Sequence, residues 1–376
     1  MNGYFDHNAT TPLHPAARAA WLEMADRFWQ NPSSLYREAG AARQKLEDCR
    51  EQVADRLGCG SEEIVFLSGA TEANNAVILH AAVAGLQTIA VSAVEHPCVL
   101  EPAQHHFRGR CHEIPVTPDG VIDLAALEEI LTLHRPGLVA VMAANNETGV
   151  LQPWRTALDL CRQHGALFHC DAAQWIGKQP SAGLGACDFL TGSAHKFGGP
   201  KGFGFLKVPE SGRPLRWLRG GPQEERRRAG TENLPAAAAM VAAWEAREDS
   251  LAAREAGWLK SRQEFEARIL TLLPGTQIIA AEAPRLWNTV LLTVPFPVNL
   301  KWLTRLSALG FAVSTGSACS RGAGASDVIR TMGLPGTMQS QVLRLSGGWE
   351  TTPDDWQALA GAFATVAGQW ETRQAV

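Results

Sequence analysis

The sequence predicts an α/β fold: a mostly parallel sheet covered by helices, followed by a smaller domain of different texture. Three observations carry this. Apolar runs of strand length alternate with helical periodicity, the pattern of a parallel sheet with crossover helices. Polar residues able to do chemistry recur at the carboxyl ends of those runs, where open α/β sheets bind ligands. A long alanine-rich helix beginning near Pro235 then separates this alternation from a less regular remainder.

The 376 residues are enough for two domains. Hydrophobic residues make up 45% and charged residues 19%, an ordinary composition with material for a large core. A net charge of −4 gives no argument for nucleic acid or an anionic membrane as partner. The start, Met1-Asn2-Gly3-Tyr4-Phe5-Asp6, lacks the pattern of a signal peptide. No apolar run approaches the ~20 residues that a spanning helix needs. The 8 cysteines are scattered with no CxxC pair, so neither zinc nor a disulfide framework is expected, and a reducing cytoplasm fits.

In order, Asp6-His7-Asn8-Ala9-Thr10-Thr11-Pro12 is a polar turn after a very short strand. Helices are expected from about Pro15 to Phe28 and from about Arg37 to Leu57, broken by Asn31-Pro32-Ser33-Ser34. Ile64–Leu67 is a buried strand; Ser68-Gly69-Ala70-Thr71-Glu72 follows, then a helix from Ala73 to Ala84. A glycine turn opening a helix suits an anion, because the first amides are free and the dipole is positive there. A simple helix cap with an acidic residue explains the same letters equally well. Thr88–Ser92 is a strand ending at Glu95-His96-Pro97, where a lone histidine is more often structural or solvent-exposed than catalytic. A strand from Gly137 to Met142 delivers Asn145-Asn146-Glu147-Thr148-Gly149. A helix from about Trp154 to His164 leads to the strand Ala166–Cys170 and to Asp171-Ala172-Ala173-Gln174.

The next strand, Phe189-Leu190-Thr191-Gly192-Ser193, turns into Ala194-His195-Lys196-Phe197-Gly198-Gly199-Pro200. An ordinary lysine is a solvated one. Here Ser193 and His195 could hold an anion beside Lys196, the glycines permit close approach, and Asp171 ends an earlier strand. A Schiff-base lysine and an acid for a ring nitrogen are what pyridoxal 5'-phosphate requires. Gly202–Val208 reads as a further strand, expected to be antiparallel. The loop Gly220–Asn233 carries Arg226-Arg227-Arg228, by default a solvated face.

Beyond the long helix, Thr289–Thr293 is a strand, Leu300–Leu309 a helix and Val342–Ser346 a strand carrying Arg344. That arginine is either a surface ion pair or a fork for a carboxylate. Cys319 lies in Thr315-Gly316-Ser317-Ala318-Cys319-Ser320-Arg321-Gly322-Ala323-Gly324. Small residues and an adjacent arginine suit an exposed thiol of lowered pKa. A last helix runs from Asp354 to about Trp370.

Taken together, these stretches resemble the cysteine desulfurases of the class-V aminotransferase family, over nearly the whole chain. The motifs are Asp6–Pro12, Asn31–Ser34, Ser68–Glu72, Glu95–Pro97, Asn145–Gly149, Asp171–Gln174, Ser193–Lys196, Arg228–Thr231 and Gly316–Ser320. The resemblance implies the fold type I of pyridoxal-phosphate enzymes. That means a large domain over residues 13–250 with a seven-stranded type of sheet, and a smaller α+β domain from residues 1–12 and 251–376. Lys196 would carry the cofactor and move protons once freed. Asp171 would keep the ring nitrogen protonated, and His96 would stack on the ring and assist proton transfer. Gln174 and Asn146 would bond the ring oxygen or the substrate. The Ala70 and Thr71 amides, with Ser193 and His195, would hold the phosphate. Thr231 would reach the phosphate of a second subunit, implying a homodimer. Arg344 and Asn31 would take the carboxylate of L-cysteine. Cys319 would receive the sulfur as a persulfide, leaving alanine, and pass it to an acceptor in iron–sulfur assembly or tRNA thiolation.

The chain departs from the family at Pro222, where many relatives have glycine, at Glu225, where they have arginine, and after Arg344, where Leu345-Ser346-Gly347-Gly348-Trp349 replaces a common Ser-Leu-Gly-Arg. These departures bear on the dimer contact and the acceptor. Competing readings are a selenocysteine lyase or C–S lyase on the same fold, an aminotransferase, which has no need of the Cys319 loop, and a non-catalytic sulfur-carrier partner, against which Lys196 and Asp171 argue.

Overall fold

The computed structural model describes residues 2–210, 215–295, 299–316, 326–335, 338 and 340–374, with side chains to 370. Strand β1 (Gly3–Tyr4) and helices α1 (Pro15–Arg27) and α2 (Arg37–Leu57) precede β2 (Ile64–Leu67). Then come α3 (Ala70–Val83), β3 (Ile89–Ser92), α4 (Pro97–His106), β4 (Cys111–Ile114), α5 (Leu124–His134) and β5 (Leu138–Ala140). Helix α6 (Trp154–His164) leads to β6 (Leu167–Asp171), β7 (Phe189–Ser193) and β8 (Gly204–Lys207).

These strands form one 7-stranded sheet in the order β2-β8-β7-β6-β5-β3-β4. The pairs from β7 to β4 are parallel, and β8 runs antiparallel to both neighbours, as its position after the Lys196 loop predicts. Two reversals leave β2 pointing the same way as β7. The carboxyl ends of β2, β3, β5, β6 and β7 therefore share one edge. The strand order reverses between β3 and β5, the kind of switch point where a crevice opens beyond the sheet. Strands β2, β3, β7 and β8 are buried throughout, so they read as continuous apolar or small runs.

Helix α7 (Leu234–Leu272) has 39 residues. Its first part, including Leu234, Met240 and Trp244, joins the core beneath the sheet, while Phe265 and Ile269 join a second core. The second core gathers Phe5 just after β1, Trp302 and Leu306 from α8 (Asn299–Ala308), Leu343 and Leu345 from the strand over Val342–Ser346, and Trp356 and Phe363 from the C-terminal helix Pro353–Gln374. Its sheet places β10 (Thr289–Thr293) between β9 (Gln277–Ile278) and β12 (Val342–Ser346), all antiparallel; β1 pairs in parallel with β11 (Phe311–Ala312). Trp349 explains one departure from the family pattern. Its buried ring lies under the Arg247 guanidinium at 4.2 Å, and its indole N–H donates to the Gly177 carbonyl at 2.9 Å. It is a packing residue where the two cores meet.

No helix among the described residues is long and apolar enough to cross a membrane. The loop after β8 is tied to the sheet by a buried ion pair. Glu224, with a left-handed φ of 47°, accepts from Arg50 at 2.8 and 3.1 Å and from the Phe66 amide at 3.1 Å. Glu224→Ala would leave the buried Arg50 with only the half-exposed Glu47 as counter-charge among the described residues, at 3.1 Å. It should cost about 3–5 kcal/mol, seen as an earlier urea transition. A loss below about 1 kcal/mol would mean that the pair does not anchor this loop.

Candidate active site

The carboxyl edge of the sheet encloses a cavity of about 490 Å³. Its walls include Ala70, Thr71, His96, Asn146, Asp171, Gln174, Ser193, His195, Lys196 and Arg344, so ten residues expected from the sequence converge on one space.

Asp171 ends β6 and is buried. One carboxylate oxygen accepts from the Ala173 amide at 2.9 Å, the other from the Asn74 side chain at 2.7 Å. Lys196 closes a short turn after β7. Its Nζ donates to the Asn8 and Ala9 carbonyls at 2.7 and 2.9 Å. The N-terminal turn thus lies against the lysine loop, and Thr11 pins it there, donating from its amide and hydroxyl to the His195 carbonyl at 3.0 and 2.9 Å.

The glycine turn before α3 leaves the helix start without a cap from the N-cap side chain. Gly69 has φ 136°, a conformation that a side chain disfavours, and gives α3 no side-chain cap, so the first amides stay free. A Cβ on Gly69 would stand 3.4 Å from the Ser193 hydroxyl, so the bare backbone lets Ser193 and the helix end face one hollow. Glu72 is occupied elsewhere: it accepts from the Ser68 amide at 2.8 Å, Trp217 at 2.9 Å and Arg228 at 3.1 Å. The arginine-rich loop is therefore partly drawn in against this helix rather than wholly solvated. His195 completes the hollow; burial first, then Lys196 and other lysines, push its pKa down to about 4.

Burial also lowers the His96 pKa, with Asp171 opposing. Gln174 donates to the Asn8 carbonyl at 2.9 Å and accepts at 2.5 Å from Lys178, a fully buried amine. Burial pushes the Lys178 pKa well down, and Lys196 and Arg344 add to it. Lys178 thereby fixes which way round the Gln174 amide sits, with its oxygen on Lys178 and its nitrogen on the Asn8 carbonyl. Arg344 is buried rather than on the surface. It donates to Asp6 at 2.7 Å and to the Asn146 carbonyl at 3.0 Å, while its buried Nε has no partner among the described residues.

Three expected residues lie elsewhere. Asn31 and Thr231 are exposed and do not line this cavity. Cys319 lies outside the described residues. The chain on either side of 317–325 is fixed beside the Asn146–Glu147 loop: Ser314 exchanges backbone bonds with Arg344 at 3.0 and 2.7 Å, and the Ser326 hydroxyl donates to Glu147 at 2.6 Å.

Sequence reasoning missed Asn8, Thr10, Asn74, Cys98 and Lys178, which bond the expected residues, and Glu95. Glu95 is buried, accepts from the Met142 amide, and has one carboxyl oxygen without a partner. Burial, then Asp171, raise its pKa to about 8. A carboxyl that holds its proton when folded but loses it when unfolded stabilises most below its unfolded pKa. That contribution drains away as pH rises to about 8. The stability of Glu95→Gln relative to wild type should therefore climb from pH 5 to pH 8 and level off above. Equal pH slopes in urea titrations of the two proteins would contradict this.

The sequence matches the aminotransferase class-V family over residues 3–359. It is 40% identical over 352 residues to a cysteine desulfurase of Klebsiella pneumoniae, covering 91% of this chain and 87% of that one. Among solved structures it resembles a NifS-like protein with a TM-score of 0.90 and 29% identity, over 98% of this chain and 100% of the other. It also resembles SspA in complex with cysteine, with a TM-score of 0.78 and 27% identity over 92% and 98% of the two chains.

Proposed function

The chain belongs to the aminotransferase class-V family, and on that premise we propose that it is a pyridoxal-phosphate-dependent cysteine desulfurase. The observation that carries the reading is the convergence of Lys196, Asp171, His96, the uncapped start of α3 and Arg344 on one cavity. Such a set fits the cofactor: an amine for its aldehyde, a carboxylate for its ring nitrogen, and free amides with Ser193 and His195 for its phosphate. When bound, pyridoxal phosphate supplies an electron sink beside the substrate's α-carbon.

The chain's own residues do the rest. Lys196 would hold the cofactor through its amine and would move protons to and from the substrate carbons. Asp171 would keep a proton on the ring nitrogen. His96 would stack on the ring, and Gln174 and Asn146 would bond the ring oxygen or the substrate. Arg344, which lines the cavity, takes the L-cysteine carboxylate. Cys319 attacks the substrate sulfur as a thiolate. The carbon–sulfur bond breaks, a sulfur–sulfur bond forms, and a proton replaces sulfur on carbon. Cysteine and a thiol thus become alanine and a persulfide, with nothing left over. Burial pushes Cys49, Cys59, Cys98 and Cys161 up to about 12 and Cys111 to about 11, which makes these five thiols poorer nucleophiles than an exposed one.

In this reading residues 13–250 form the cofactor domain, and residues 1–12 with 251–376 form the smaller one. The sulfur goes to an acceptor protein of iron–sulfur assembly or tRNA thiolation, in the cytoplasm. The test is product identity. Supplied with L-cysteine and a thiol reductant, the loaded enzyme should release alanine and sulfide in equal amounts. Pyruvate and ammonia in place of alanine would favour a C–S lyase.

Thr231 belongs to the same proposal through a homodimer. Arg228, three residues before it, is anchored at the start of α3, yet Thr231 faces solvent. A second copy of the chain is its natural destination. Thr231→Val should weaken cofactor binding by about 1.5–3 kcal/mol, the worth of one bond to a charged group, read by cofactor titration. A fully active monomer in sedimentation would rule out the shared site.

A further inference from the structure

We propose that Cys98, together with Asn74, is a positioning residue that fixes the tautomer of His96, so that the ring keeps its proton on Nε2. His96 is the N-cap of α4, and its Nδ1 accepts from the Cys98 amide at 3.2 Å. An amide can only donate, so Nδ1 carries a lone pair. The Cys98 sulfur stands 2.9 Å from the same nitrogen. Facing a lone pair, the thiol is the donor there.

The sulfur is in turn an acceptor. Asn74, fully buried, directs its Nδ2 to Cys98 at 3.1 Å and to Asp171 at 2.7 Å, using both hydrogens. Its Oδ1 has no partner. The amide cannot turn over without setting that oxygen against the Asp171 carboxylate. The direction of every bond is therefore set: Asn74 donates to Asp171 and to Cys98, and Cys98 donates to His96. Burial, with Asp171 adding, pushes the thiol up to about 12, so the proton that this chain needs stays on sulfur.

The charged groups facing His96 are Asp171, which favours a second ring proton, and Lys196, which opposes it. A second proton would have to enter at Nδ1, between two donors. The ring therefore stays neutral with its N–H on the far nitrogen, a donor rather than a base. Its use in catalysis rests on the cofactor reading given above; the tautomer does not, because it can be measured without the cofactor.

The test is ¹⁵N NMR of the histidine ring nitrogens in the cofactor-free chain, with the His96 signals assigned by their loss in His96→Gln. In the wild type, Nδ1 should have the shift of a bare ring nitrogen and Nε2 that of a protonated one. Cys98→Ala, which keeps the amide but loses the thiol, should move the Nδ1 shift toward the protonated value as the other forms gain population. Cys98→Ser, with a shorter hydroxyl donor, should return it toward wild type. Signals in Cys98→Ala identical to wild type would overturn the role of the thiol. A proton on Nδ1 in the wild type would overturn the proposal outright, whatever the variants do.

Discussion

Lys196→Ala should lose the borohydride-reducible link to pyridoxal phosphate and nearly all alanine formation. The argument is positional. The Lys196 amine projects from the carboxyl end of β7 and is held by the Asn8 and Ala9 carbonyls. Both of those acceptors are neutral main-chain carbonyls of the N-terminal turn, which tether the amine at the mouth of the sheet. Losing the proton carrier alone should cost roughly 10²–10⁴-fold in rate, and losing the covalent anchor adds to this. Two other lysines make the test sharp, because Lys201 lines the same cavity and Lys178 lies behind Gln174. Reduction followed by peptide mapping should label Lys196 alone. A label on Lys178 or Lys201 would reassign the anchor.

Cys319→Ala should separate cofactor chemistry from sulfur chemistry. Every residue proposed to hold the cofactor lies at position 231 or earlier, so this variant should bind pyridoxal phosphate normally. It should also bind L-cysteine with the same change in the absorption spectrum. Alanine and sulfide release should then fall by orders of magnitude, as expected when a nucleophile is removed. The spectrum and the product assay belong together. Normal cofactor binding with lost turnover supports the role of Cys319, whereas turnover at the wild-type rate would make a direct eliminating lyase the better reading.

Much of the fold is legible because local pattern and burial agree. The apolar run Ile64–Leu67 forms a strand over those four residues, and Arg37–Leu57 a helix with Leu46, Val53 and Leu57 buried. Strand β4 escaped notice because Cys-His-Glu-Ile sits at the sheet edge and needs no continuous apolar run. Helix α4 opens at Pro97, carries Pro102 and ends in two histidines, so its letters look like a loop. The cavity residues at strand ends could be found from sequence because topology brings such ends together. Their supports could not. Asn74 meets Asp171 across 97 positions, and Asn8 meets Lys196 across 188, distances at which no spacing rule operates. Trp349 is the reverse case. It departs from the family pattern in a glycine-rich turn, and only the folded chain shows its ring packed against Arg247 and Trp287.

The desulfurase reading stands most directly on where the sulfur goes first. The loaded enzyme should be given sulfur-labelled L-cysteine without reductant, trapped with an alkylating agent, digested and mapped. One labelled persulfide should appear, on Cys319, in step with the first equivalent of alanine. Label on Cys98 or another cysteine, or free sulfide formed with no protein-bound sulfur, would contradict it.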